Sequence, residues 1–189
     1  MEENTSPAKL DQENILVKQA GTDDRAFEIL YDFYFTKIYF FVFKRTGQKE
    51  VAEDIVSATF IKVFTGLKTF EPKHENSFAA WVYKIANNKI TDYYRHQGRH
   101  PLVSIENIVE PVDENQNPQE DYVRNLNKTI VAKILLSLSE SDQNILQLKF
   151  FADLDNMEIA EILGVKANNV GVCLFRALKR FQKKYQSYE

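Results

Sequence analysis

The chain has 189 residues, a formal net charge of −3, 14 Phe, 9 Tyr and a single cysteine. That length suits one ordinary domain or two small ones, with enough apolar and aromatic side chains for a sizeable core. The acidic balance excludes a global basic field for nucleic acid, the lone Cys173 excludes an internal disulfide framework, and no charge-free apolar run reaches the roughly 18 residues of a membrane span.

The N-terminal stretch MEENTSPAKLDQEN is polar and acidic, without the basic start and apolar core of a secretory signal. A cytoplasmic chain in a reducing compartment is expected, with residues 1–10 as a disordered tail and no membrane insertion. Gly21, Gly47, Gly66, Gly98 and Gly164 each follow a helix-like segment, where a left-handed C-terminal cap belongs. Only Gly171 falls inside such a segment, and the prolines avoid them.

The first long helix is expected after Asp23 and Asp24, whose carboxylates suit the unpaired amides of a helix start. Phe27, Leu30, Tyr34, Ile38, Phe41 and Val42 then recur at helical spacing. In the next segment Val51, Ala52, Ile55, Val56, Thr59, Phe60 and Val63 form an inward stripe, with Glu50, Glu53, Asp54 and Ser57 opposite. A third helix follows FEPKHEN, capped by Ser77 and ending at Gly98. Asn88, Asp92 and Arg95 are expected to share one solvent-facing side, with Trp81 and Ile85 buried on the other. Lys84, Lys89, Thr91, Tyr93 and Tyr94 lie nearby and complete a plausible single-strand surface of polar, basic and aromatic groups.

The character then changes. PLVSIENIVEPVDENQNPQEDYVRN carries six acids against one base and three prolines, and reads as an extended acidic linker over residues 100–127. It separates a helical unit at 11–99 from another at 128–189. The second opens with Ser139 and Asp142 in a capping-box-like pattern, and Asp155 with Glu158 repeats the device. Ala160, Gly164 and Val170 stand at helix-turn-helix spacing: a small residue at the crossing, a turn glycine and an apolar anchor. Val165 is expected to tuck into the core. There is no strand alternation, so the fold class is all-α: two small helical domains and a linker, the second a helix-turn-helix domain.

VAEDIVSATFIKVF, then FAAWVYKIANNKITDYYRH, then this helix-turn-helix, in that order, resembles a bacterial sigma factor. The chain is most similar to the two-domain extracytoplasmic-function (ECF) group. The resemblance implies a transcription initiation factor that binds core RNA polymerase and directs it to promoter DNA, with no cofactor. The first unit would dock on the polymerase clamp and open the minus-ten element; the second would read the minus-thirty-five element. Residue by residue, it puts polymerase contacts at Glu53, Asp54, Ser57 and Phe60. It puts minus-ten DNA contacts at His74, Glu75, Asn76, Lys84, Asn88, Lys89, Asp92 and Arg95. Helix-turn-helix contacts fall at Lys166, Asn168, Asn169, Arg176, Lys179 and Arg180.

Departures from the family pattern cluster in the last helix. Lys166 stands at the capping position but cannot accept an amide hydrogen bond. Gly171 and Cys173 stand where basic side chains are usual, so weak reading of the minus-thirty-five element is expected. An activator or separate DNA-targeting protein would then help, and an anti-sigma factor is a further partner the resemblance admits. Two alternatives remain: a helix-turn-helix regulator with an N-terminal sensor, and a polymerase-binding protein without promoter choice. An enzyme is disfavoured, since His74, His96, His100 and Cys173 form no metal or nucleophile–base set.

Overall fold

Helix starts and stops in this chain are written in single side chains. Asp23 precedes the longest helix, and its carboxylate accepts from the Arg25 amide at 2.9 Å. Gly47 closes that helix at φ 63°, in the left-handed region. The computed structural model describes residues 7–72, 77–97 and 129–188. Among them the order is α1 (Pro7–Gln19), α2 (Asp24–Thr46), α3 (Lys49–Gly66), a 3₁₀ turn (Leu67–Thr69), α4 (Ser77–Gln97), α5 (129–136), α6 (Glu140–Phe150), α7 (Asn156–Leu163) and α8 (Ala167–Tyr185). No strand occurs among the described residues.

Some boundaries differ from expectation. Residues 7–10 belong to α1 rather than to a tail, because Pro7 sits in the first turn, where its missing N–H costs nothing. Ser77 is the first residue of α4, not its cap, and its hydroxyl is buried. Gly164 is left-handed (φ 67°) as expected, whereas Gly66 is not, and Gly21 is absent from the positive-φ glycines. Gly98 and the acidic linker lie outside the described residues.

Gly66 has a different use. A Cβ there would lie 2.8 Å from Cζ2 of Trp81, whose ring stacks on Phe70 at 4.6 Å. The glycine lets α3 and α4 approach over that ring. Gly66→Val is therefore expected to cost about 1–3 kcal/mol by overpacking and to lower the melting temperature by several degrees. An unchanged melting temperature would show that the indole moves aside freely.

The first unit packs α1 to α4 around Leu30, Ile38, Val42, Val56, Val82 and Ile90, all buried. Phe27, Tyr31, Phe35 and Tyr39, one turn apart on α2, line up beside Phe60 and Phe64 of α3. The second unit packs α6, α7 and α8 around Leu148, Ile159, Val170 and Ala177. Gln143 donates from Nε2 to the carbonyls of Leu136 and Leu138, which fixes the α5–α6 corner.

The two units also touch, which the sequence did not announce. α4 packs against α7. Arg45, at the end of α2, is fully buried, with Glu140 of α6 at 3.6 Å. Its guanidinium nitrogens make no hydrogen bond among the described residues. Burial lowers the guanidinium's pKa to about 10, against the opposing pull of Glu140 and Tyr94. At neutral pH the burial of this charge opposes folding. The cost persists at every pH below about 10 and is relieved only as pH rises above that value. Arg45→Met keeps the volume and removes the charge. It is expected to leave the melting temperature unchanged or raise it by a few degrees. A fall of more than about 5 °C would mean that the charge is a net stabiliser.

Candidate nucleic-acid and polymerase interface

The outer side of α3 carries two kinds of chemistry in succession. Glu50, Glu53, Asp54 and Ser57 are exposed, as the sequence pattern requires. Glu53 faces Lys49 at 3.8 Å one turn away, a solvated pair worth little to stability. Beyond Ser57 the same side continues with Ile61 and Phe64, 65% and 48% exposed. Phe60 does not belong to this surface. It is buried, its ring 4.6 Å from that of Tyr31. One residue along a helix turns the side chain by about 100°, so Phe60 enters the core while Ile61 leaves it. The sequence pattern assigned Ile61 and Phe64 to neither side of the helix, so this exposed apolar pair was missed.

In α4, Asn88, Asp92 and Arg95 are all exposed, on one side. Arg95 donates to Asp92 at 3.0 Å, so the two charges partly neutralise each other. Lys84, Lys89, Thr91 and Tyr93 beside them are half-buried. Trp81 and Ile85 are not on the opposite side. Positions 81, 85, 88, 92 and 95 are spaced four, three, four and three, and so form one stripe. The stripe begins in the core, with Ile85 buried and Trp81 half-covered, and emerges into solvent at Asn88. Tyr94 turns away from this surface. Its hydroxyl donates to the Arg45 carbonyl at 2.5 Å, and burial pushes its pKa up to about 12. His74, Glu75 and Asn76 lie outside the described residues.

The helix-turn-helix geometry is complete. Asp155 caps α7 by accepting from the amides of Met157 and Glu158 at 2.7 and 2.8 Å, and Glu158 accepts from the Asp155 amide in return. Ala160 is buried at the crossing, Gly164 ends α7, and Val170 is fully buried. Val165 is not in the core. It is 41% exposed, because the left-handed Gly164 turns the chain outward there. Lys166 precedes α8 without any side-chain cap bond, as its chemistry requires.

Along α8, Lys166, Asn168, Asn169, Arg176 and Lys179 are exposed. Arg180 has a structural partner: it donates to the buried Asp142 carboxylate at 2.8 Å and ties α8 to α6. Val172 and Phe175 are 48% and 65% exposed on the outward side. Cys173 is exposed and unbridged. A base-reading surface would hold polar groups at such positions, with apolar contact limited to a thymine methyl. Among the described residues no group of His, Cys, Asp or Glu converges as a metal site, and no helix is long and apolar enough to cross a membrane.

These surfaces coincide with family segments. The Sigma-70 region 2 model matches residues 30–100, and the Sigma-70, region 4 model matches residues 128–181. The RNA polymerase sigma factor YlaC of Bacillus subtilis (strain 168) is 31% identical over 157 residues, covering 82% of this chain and 90% of that protein. The ECF RNA polymerase sigma factor SigW of the same organism is 28% identical over 177 residues, covering 88% and 93%. In fold the chain is similar to CnrH in its complex with the cytosolic domain of CnrY. There the TM-score is 0.71 at 20% identity, over 94% of this chain and 99% of that one. It is also similar to the sigma factor RpoE of Bartonella quintana bound to the anti-sigma factor NepR. That TM-score is 0.65 at 18% identity, over 85% and 96%. With both regions present in order and a relative above 30% identity across most of its length, this chain belongs to the RNA polymerase sigma factors of the ECF group.

Proposed function

We propose that the chain binds core RNA polymerase through α3, directs it to promoter DNA, and holds the opened minus-ten element against α4. It acts by binding alone, in the cytoplasm where the polymerase works. The observation that carries this reading is the α4 stripe. Asn88, Asp92 and Arg95 stand in solvent on a rigid helix whose other sides are fixed in the core. Opening DNA needs no chemical step. Each unstacked base costs a few kcal/mol, and a base–aromatic stack returns about 1–3. Capture of a displaced base by His74, Glu75 and Asn76, with phosphate contacts from Lys84 and Lys89, would supply such compensation.

On α3 we assign docking to Glu53, Asp54 and Ser57, and extend it to Ile61 and Phe64, replacing Phe60. Partly apolar surfaces of this kind suit a protein partner rather than nucleic acid. For the unit at 128–189 we assign DNA contact to Lys166, Asn168, Asn169, Arg176 and Lys179. Arg180 is set aside for its bond to Asp142. The grip is weak, and a second protein that meets Val172 and Phe175 would help to place the polymerase.

Co-purification tests the first step. Tagged chain mixed with core polymerase should elute as a single complex of one chain per polymerase. Elution of the chain apart from polymerase, with duplex DNA bound instead, would favour a helix-turn-helix regulator.

A further inference from the structure

We propose that the C-terminal half of α8 is a groove for single-stranded nucleic acid, separate from the duplex contacts at the front of the helix. The inference rests on the function proposed above in one respect: the N-terminal end of α8 is the part that meets duplex DNA. In a helix-turn-helix the first residues of the second helix enter the major groove, which is roughly 12 Å wide. At 1.5 Å per residue, Gln182 stands about 22 Å along the axis from Ala167. A helix whose front lies in the groove therefore carries its rear clear of the duplex. The positive charge does not stop where the duplex does. From Lys166 to Gln186 the chain has six cations and no acid, although its formal net charge is −3. Three of the six, Arg180, Lys183 and Lys184, lie beyond Lys179.

The rear of α8 is shaped for a strand rather than for bare phosphate. Arg176, Lys179, Arg180, Gln182, Lys183 and Gln186 line a cavity of about 500 Å³. Pockets of that size hold small ligands, so this one takes a nucleotide unit and not a duplex. Two adjacent rows of the helix make it. Arg176, Arg180 and Lys183 form one row, about 10 Å long, the rise of about three stacked nucleotides at roughly 3.4 Å each. Arg180 is fixed there by its 2.8 Å bond to Asp142. Phe175, Lys179, Gln182 and Gln186 form the other row, spaced four, three and four. Phe175 is 65% exposed, a ring on which a base can stack. Gln182 and Gln186 are exposed, and their carboxamides both donate and accept, as base edges do, without adding charge. Those edges are paired in a duplex and open in a single strand. Aromatic, cation and amide in succession therefore suit a single strand. The same reading accounts for a helix that keeps its cations while Val172 and Phe175 unsuit it to the major groove. A strand stacked on Phe175 and a protein seated there would exclude one another.

Anisotropy titration of the full chain tests this, with labelled oligo(U), oligo(dT) and a duplex of equal length, about 12 nucleotides, within the usual single-strand site sizes. Both single strands should bind more tightly than the duplex. Gln182→Ala with Lys183→Ala and Gln186→Ala should weaken them by about tenfold or more and leave duplex affinity within about twofold. Alanine at these exposed helix positions keeps the fold, which a thermal melt checks. Tighter binding of oligo(U) would assign the groove to RNA, tighter binding of oligo(dT) to an opened DNA strand, and either supports the groove. Four results would overturn it. The first is single strands that bind no more tightly than the duplex. The second is a triple variant that weakens duplex and single strands alike. The third is displacement of the strand by UTP at equal nucleotide concentration, which makes the cavity a mononucleotide site. The fourth is displacement by polyglutamate as readily as by unlabelled oligo(U), which gives this face to an acidic protein. If the chain fails to bind core polymerase, the proposed function falls, while the titration still decides the groove.

Discussion

Asp54→Lys is expected to weaken binding to core RNA polymerase by about tenfold to a hundredfold while leaving the fold nearly untouched. Asp54 is exposed in the middle of the outer side of α3, between Glu53 and Ser57. Its reversal removes an acid from the proposed docking surface and sets a like charge against a basic partner group. Loss of a charged contact at a protein interface costs about 1.4–3 kcal/mol, which is that range of affinity. Exposed substitutions away from caps and cores usually move stability by less than about 0.5 kcal/mol. A binding titration with labelled chain, run beside a thermal melt, separates the two quantities. Unchanged affinity would remove Asp54 from the docking surface. A large drop in melting temperature would assign it a structural part instead.

The second large effect concerns α8. Gly171→Lys with Cys173→Arg should steepen the dependence of duplex-DNA affinity on salt by up to about two units of log–log slope. Each phosphate neutralised contributes about −0.9 to that slope. Both positions are exposed, and a side chain at Gly171 would meet nothing within 4 Å. The change also replaces a glycine inside a helix, worth roughly 1 kcal/mol of helix propensity. The unaltered chain should bind short duplexes weakly, because Val172 and Phe175 hold outward places that a DNA reader gives to polar groups. Fluorescence anisotropy over a salt series measures both. An unaltered slope in the double variant would turn α8 away from phosphates. Tight, selective binding by the unaltered chain would make Asn168 and Asn169 base readers and end the weak-grip reading.

Local chemistry was legible in the sequence. Asp23, Ser139, Asp155, Gly47 and Gly164 announced helix ends because each acts through hydrogen bonds or dihedral freedom within a few residues. The helix-turn-helix core of Ala160, Gly164 and Val170 was legible for the same reason. What the sequence hid depends on rotation and on distance. Phe60 stood in the expected inward stripe and is buried, so the polymerase contact that the family resemblance put there falls on a core residue, while Ile61 beside it is exposed. Trp81 shares a stripe with Asn88, yet the third helix and Phe70 cover one and leave the other open. The bond of Arg180 to Asp142 was hidden because nothing near Arg180 in sequence marks a residue 38 positions earlier as its partner. Arg45 and Glu140 stand further apart still, and no local pattern links them.

Promoter-directed initiation is measured most directly by run-off transcription. Purified chain is added to core polymerase on linear templates carrying the chain's own upstream region and a genomic fragment library, and transcript starts are mapped. Discrete transcripts should appear only when both chain and polymerase are present. Their start sites should share an upstream motif at the minus-ten position and only a loose one at minus thirty-five, and Asn88→Ala with Arg95→Ala should reduce the yield at every start. Polymerase binding without any chain-dependent start on any template would contradict promoter-directed initiation.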